Sequence, residues 1–141
     1  PYAQTSDQSN GQDKVQKTFA DGRTVVWYSN GTQKERSADG SVTVSFTNGD
    51  RKRMLPEGVV TYYYASADTR HTAYPDGLEV FEFPSKQVER HFPDGTKQVL
   101  FPDGTEKLIG IDGVHVSTFP DGVVLHEYPD GRREVMHVPR P

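Results

Sequence analysis

Phe92-Pro93-Asp94-Gly95-Thr96 is followed nine residues later by Phe101-Pro102-Asp103-Gly104-Thr105, and the same aromatic, proline, acid, glycine signature recurs at Tyr74-Pro75-Asp76-Gly77, Phe119-Pro120-Asp121-Gly122 and Tyr128-Pro129-Asp130-Gly131. Eleven of the thirteen glycines keep the beat: Gly22, Gly31, Gly40, Gly49, Gly58, Gly77, Gly95, Gly104, Gly113, Gly122 and Gly131. A repeat of fixed short period governs the architecture and is read before any other signal. Proline pre-sets the dihedral of the first central turn position, and aspartate tolerates the bridge region. Glycine then supplies the left-handed residue of a three-residue hairpin loop with a bulge. Each of the eleven glycines is therefore a structural turn residue.

Between reversals lie roughly six residues rich in Val, Thr, Tyr and Phe, such as Ser41-Val42-Thr43-Val44-Ser45-Phe46 and Val59-Val60-Thr61-Tyr62-Tyr63-Tyr64, a composition that suits strands. The pattern predicts an antiparallel meander of about thirteen short strands. Two beats are blurred. One extra residue enters at Ala65-Ser66-Ala67-Asp68, and lysine replaces glycine at Phe83-Pro84-Ser85-Lys86.

The odd period sets the facing. In such a hairpin the aromatic before the turn lies opposite the residue after glycine, so both point the same way, and nine residues later the pattern is inverted. Both faces then receive similar chemistry, and neither is a committed core. With 33% hydrophobic residues and no helix to cover a sheet, the expected class is all-β. It is a single-layer, open meander with both faces exposed to solvent and no conventional hydrophobic core. Its stability comes from neighbouring strand pairs and cross-strand side-chain pairs.

One repeat register predicts one domain over residues 15–138, preceded by a loose leader or linker (1–14) and followed by a tail, Pro139-Arg140-Pro141. There is no apolar run of membrane-spanning length and no signal-like segment. Zero cysteines suit a reducing compartment such as the cytoplasm. A net charge of -4 gives no reason to expect nucleic acid.

Glycine- and aspartate-bearing nine-residue repeats also build calcium-binding β-rolls, but those need paired glycines with the acid after them, whereas here a lone glycine follows the acid. His71, His91, His115, His126 and His137 match no zinc spacing, so no metal or other cofactor is expected. No nucleophile elbow, P-loop or His-Glu-x-x-His motif is present, and a flat sheet offers no water-excluding cavity. The chain reads as a non-enzyme.

The feature beyond scaffold is an aromatic patch. The facing rule places Val42, Val44 and Phe46 on one face with Met54, then Val60, Tyr62 and Tyr64, then His71, then Glu79, Phe81 and Phe83, then Glu89. A slip of one residue across the insertion near Ala67 moves Glu89 to the other face. These aromatics ladder any exposed sheet, yet a large exposed apolar patch marks a partner surface. Aromatic grooves accept the rigid polyproline II helix, and a carboxylate beside them pairs with arginine. The candidate peptide-binding residues are Phe46, Met54, Val60, Tyr62, Tyr64, Phe81, Phe83, Glu79 and Glu89, and the ligand expected is an extended peptide carrying prolines and arginine. Two other readings stand beside this one. The chain could be a structural element polymerising through its unpaired sheet edges, or an envelope-associated repeat module of the bacterial toxin kind.

The serial Phe-Pro-Asp-Gly-Thr units at 92–96 and 101–105, with the variants Tyr28-Ser29-Asn30-Gly31-Thr32 and Tyr128-Pro129-Asp130-Gly131-Arg132, resemble the T-complex protein 10 C-terminal domain, or G-box. The resemblance covers about Phe19 to Val138. It implies a free-standing antiparallel sheet that binds a proline- and arginine-containing segment of the centriolar scaffold STIL, with a place in centriole duplication at the centrosome. It also implies that the family's aromatic and acidic peptide contacts fall at Phe46, Tyr62 and Glu89.

Overall fold

The computed structural model describes residues 4–10 and 14–137, so the Pro139-Arg140-Pro141 tail lies outside the described residues. Among the described residues, apart from one short 3₁₀ turn at Ala65–Ala67, the regular structure is strand. Two compact units are present, residues 1–72 and 73–141. The first carries β1 (Gln4–Asn10), β2 (Lys14–Phe19), β3 (Thr24–Tyr28), β4 (Gln33–Arg36), β5 (Val42–Ser45), β6 (Arg51–Met54) and β7 (Val60–Tyr64); β8 (Thr69–Ala73) runs up to the division. The second carries β9 (Glu79–Glu82), β10 (Val88–His91), β11 (Lys97–Leu100), β12 (Glu106–Ile109), β13 (His115–Thr118), β14 (Val123–Glu127) and β15 (Arg133–His137). Within each unit spatial order follows chain order, and every strand pairing described is antiparallel, as the nine-residue beat predicts.

Among the described residues fifteen strands are present rather than about thirteen. The stretch 1–14, expected to be a loose leader, contains β1, which pairs with β2 from Gln4↔Phe19 to Asn10↔Lys14. Ladder bonds run between backbone groups, so the polar Gln-Thr-Ser-Asp-Gln-Ser-Asn strand forms without the apolar alternation that signals strands.

Among the described residues the buried hydrophobic side chains are Val25, Val42 and Val99, and Ser41, Asp50, Thr72, Thr105 and Ser117 are buried with them. A sheet this thinly cored is held by its turns. In the 92–96 turn the Phe92 N–H donates to the Thr96 carbonyl at 2.9 Å and the Gly95 N–H to the Phe92 carbonyl at 3.0 Å. The Asp94 carboxylate accepts the Thr96 N–H at 2.9 Å. The same side-chain acceptor recurs at Asp21, Asn30, Asp39, Asn48, Asp76, Asp103, Asp112, Asp121 and Asp130. The acid therefore does more than tolerate the turn. It satisfies the amide that the bulge leaves without a ladder partner.

All eleven beat glycines have positive φ, and Gly104 sits at +94°. A side chain there is strained in the left-handed region, although a Cβ would make only ordinary contact with the Pro120 ring, at 3.7 Å. Pro120 belongs to the turn two hairpins further on, so alternate turns touch: Gly104 faces Pro120, as Gly31 faces Thr47 and Gly49 faces Ala65. The blurred beat at 83–87 keeps the same fold, with Lys86 at φ 75° in the glycine position. Its N–H donates to the Phe83 carbonyl at 2.9 Å, and Ser85 takes the place of the acid, accepting from the Gln87 N–H at 3.3 Å.

The facing rule can be followed in the registers. Val42 pairs with Met54 and Met54 with Val60, while Val44 pairs with Lys52 and Lys52 with Tyr62. One face of β5 to β7 is therefore built from even-numbered residues. Across the 3₁₀ turn the parity changes, because the Thr61 and Thr72 hydroxyls lie 3.4 Å apart on the odd-numbered face. His71 accordingly sits on the Tyr62 side.

Replacing Gly104 with valine should lower stability by about 1 to 3 kcal/mol. Thr105→Val should cost less, since valine keeps the β-branch and the N–H that donates to Asp103 at 2.8 Å. Thermal melts of the two variants check the ordering, and equal melting temperatures would refute the role given to the turn glycine.

Candidate functional site

The candidate residues fall into a group in each unit. In the first, Phe46 closes β5 and stacks on Tyr62 of β7, with ring centroids 6.0 Å apart and planes at 29°. Tyr62 lies against Tyr64 at 4.5 Å. Alternation along β7 puts Tyr62 and Tyr64 on one face, and the β6 register adds Met54 and Val60. Phe46, Met54, Val60 and Tyr62 are half-buried and Tyr64 is exposed. The result is a tilted ladder of rings, open to solvent along its outer side.

Asp50, which the sequence reading did not single out, fixes this ladder. Its carboxylate accepts the Tyr62 hydroxyl at 2.8 Å and the Ala65 N–H at 2.9 Å. One side chain in the 46–50 turn thus holds both the central ring and the start of the 3₁₀ turn that follows β7. Gly49 supports the approach, since a Cβ there would meet Ala65 at 3.0 Å. The signal was available in the sequence. The residue after the beat glycine is Thr, Ser, Val, Leu or Arg elsewhere, and Asp50 is the one acid at that position. Asp68, at the end of the insertion, likewise accepts the Tyr63 hydroxyl at 2.8 Å.

In the second unit Phe81 of β9 pairs with Glu89 of β10, and Glu79 pairs with His91. Phe81 and Phe83 stack with centroids 6.5 Å apart, and Phe81 lies 4.7 Å from the His91 ring. Glu89 is held from both sides along its own strand: its Oε2 accepts from Gln87 Nε2 at 3.1 Å and its Oε1 contacts His91 Nε2 at 3.2 Å. Gln87 and His91 were not singled out as site residues either. A carboxylate offers about four lone-pair positions, so two such contacts leave room for a guanidinium. Glu79, Phe81, Phe83 and Glu89 therefore share one face of this unit, in the register the facing rule predicts.

The electrostatics follow from these contacts. The Ala65 N–H and the Tyr62 hydroxyl hold the Asp50 carboxyl below its usual range, and the Asp50 carboxylate pushes the Tyr62 phenol above its own. The Ser41 amide and hydroxyl likewise lower Asp39, the Thr96 hydroxyl and amide lower Asp94, and the Thr105 amide lowers Asp103. Among the described residues no group of three or more His, Asp or Glu is placed to hold a metal ion, and no helix is long and apolar enough to cross a membrane. What the surface offers chemically is flat aromatic area beside a pre-oriented carboxylate.

A lowered folded carboxyl value stabilises the fold above the unfolded value and is lost as pH falls through the folded one. A raised phenol stabilises below its unfolded value and is lost as pH rises through the folded one. The melting temperature should therefore be level between the carboxylate and phenol ranges and drop on both sides. In Asp50→Ala the Tyr62 phenol should titrate at lower pH than in the parent protein, as read by ultraviolet absorbance against a Tyr62→Phe reference. An unchanged phenol titration would show that the Asp50 contact is not formed.

Comparison with known proteins gives a consistent set of relatives. The family model for the T-complex protein 10 C-terminus matches residues 14–36 and 75–109. The centrosomal P4.1-associated protein of Mus musculus is 52% identical over 85 residues, which is 60% of this chain and 6% of that protein. This chain therefore corresponds to a small part of that curated relative. Among solved structures, the TCP10 domain of Danio rerio CPAP in complex with a peptide of Danio rerio STIL superposes with a TM-score of 0.78 at 48% identity, covering 86% of this chain and 68% of that one. The Drosophila melanogaster SAS-4 (dCPAP) TCP domain, in complex with a proline-rich motif of Ana2 (dSTIL), superposes with a TM-score of 0.69 at 34% identity, covering 98% of both chains.

Proposed function

The chain belongs to the T-complex protein 10 C-terminal domain family, and from that membership we propose that it is a non-enzymatic interaction module of a centriole assembly scaffold. It acts in the cytoplasm at the centrosome and binds an extended, proline- and arginine-containing segment of the STIL kind. The observation that carries this reading is the half-exposed Phe46, Tyr62 and Tyr64 ladder, held in place by Asp50. Rings fixed before binding lose little entropy when prolines pack on them, and the polyproline II helix is itself pre-ordered. The family resemblance adds two solved relatives that carry STIL or Ana2 peptides. Met54 and Val60 extend the apolar area beside the rings. Phe81 and Phe83 supply a second aromatic surface, and Glu89, with Glu79 on the same face, supplies the charge that an arginine of the partner meets.

Phe46→Ala and Tyr62→Ala should each weaken binding of a proline- and arginine-bearing peptide by about 1 to 3 kcal/mol while leaving the sheet folded. Glu89→Gln should lower affinity about tenfold, and Glu79→Gln less. Calorimetry with circular dichroism as the fold control checks both. Undiminished affinity of the two aromatic variants would refute the aromatic face as the binding surface, and a larger loss in Glu79→Gln would move the acidic anchor to Glu79.

A second reading, edge-to-edge self-assembly, is favoured by one observation. β15 is the last strand of the sheet order and exposes Val135 and Met136, and an edge strand that exposes apolar side chains is a template for further pairing. Val135→Lys should reduce concentration-dependent association in sedimentation without changing peptide affinity. Sedimentation identical to that of the parent protein would rule out this edge.

A further inference from the structure

The odd-numbered face of the first unit, opposite the Tyr62 ladder, carries a different chemistry. There Arg51 and Arg53 of β6 and Arg70 of β8 line a groove of about 700 Å³ together with Thr43, Tyr63 and Glu35. Arg51 pairs with Tyr63, and Arg53 pairs with both Thr61 and Thr43, so the groove floor spans β5 to β8. Like charges gathered on neighbouring strands destabilise a sheet. The gathering is also unexpected in a chain whose net charge is -4. Glu35, the one acid of the groove lining, already lies 3.8 Å from Arg23. Among the described residues neither Arg51 nor Arg53 closes a salt bridge.

We infer that this groove is a second binding surface, taking an extended peptide with acidic side chains at every second residue. Charge complementarity selects the occupant and strand geometry selects its spacing. Arg51 and Arg53 are two residues apart on one face, a separation of about 6.6 Å, and an extended acidic segment repeats its carboxylates at the same interval. Each guanidinium accepts a carboxylate in a two-point contact. A basic groove on one face and an aromatic ladder on the other would let one module hold two partners of opposite character, because β7 presents Tyr62 to one and Tyr63 to the other. This inference is independent of the STIL-type reading, which rests on the even-numbered face.

Fluorescence anisotropy of a labelled peptide of alternating threonine and glutamate, titrated with the whole chain at low salt, tests the proposal. Saturable binding should weaken with added salt, rise in Kd by about tenfold or more in the Arg51→Gln/Arg53→Gln variant, and remain unchanged in Phe46→Ala. An unlabelled proline- and arginine-bearing peptide should not compete. The Arg51→Lys/Arg53→Lys variant, which keeps the charge and loses the two-point geometry, should fall between. No saturation up to about 1 mM, equal affinity for the parent and the glutamine variant, or competition between the two peptides would overturn the proposal. A peptide bound only when phosphoserine replaces glutamate would also overturn it, in favour of phosphate recognition. Retained binding of the proline- and arginine-bearing peptide by the glutamine variant shows that its surface is intact, so this proposal can fail while the other stands.

Discussion

At ten of the eleven turn glycines the amide of the following residue bonds outside the ladder, to the aspartate or asparagine side chain two residues before it. Thr96 and Asp94, at 2.9 Å, are one instance of a contact repeated along both sheet edges. A single layer with a few buried valines cannot hold its strands together by burial, so stability has to be assembled locally, hairpin by hairpin. Proline fixes the entry, the carboxylate satisfies the bulge and glycine closes the turn. The stacking of one turn on the next, as Gly104 meets Pro120, then links hairpins that share no ladder.

Asp50 shows how the candidate site is built on that frame. The repeat leaves the position after glycine free to vary, and here an acid at that position reaches across to Tyr62 and Ala65. A turn residue thereby becomes the support of an exposed ring. The insertion at 65–67 is likewise anchored, with its first amide bound by Asp50, and Asp68 at its end bound by Tyr63. The irregular turn is tied down at both ends beside the most aromatic strand of the chain. Pre-ordering of this kind lowers the entropy that exposed rings would lose on meeting an extended peptide.

Much of this was legible in the residues. The glycine beat set the turns, and its odd period set which side chains share a face, so the groupings of Phe46 with Tyr62 and of Phe81 with Glu89 follow from counting. The parity change at the insertion follows from one extra residue, as the Thr61 and Thr72 contact records. Other features carried no periodic signal. β1 forms from polar residues because backbone bonding is indifferent to side-chain pattern. Lys86 occupies a glycine conformation because the neighbouring turn bonds over-determine it. The clamp of Gln87 and His91 on Glu89 joins residues two apart on one strand, where alternation states only that they share a face and says nothing of which atoms meet.

An odd repeat also constrains how such a sheet grows by duplication. In residues 73–141 the beat runs unbroken, apart from the lysine at its second glycine position. A gain or loss of one nine-residue unit would preserve every turn and every backbone bond there, yet exchange the two faces for all side chains beyond it. A gain or loss of eighteen would leave each side chain on its own face. Lineages that keep a binding surface on one side of the layer are therefore expected to change length in pairs of repeats, or to offset a single repeat with a one-residue insertion of the kind that stands between β7 and β8.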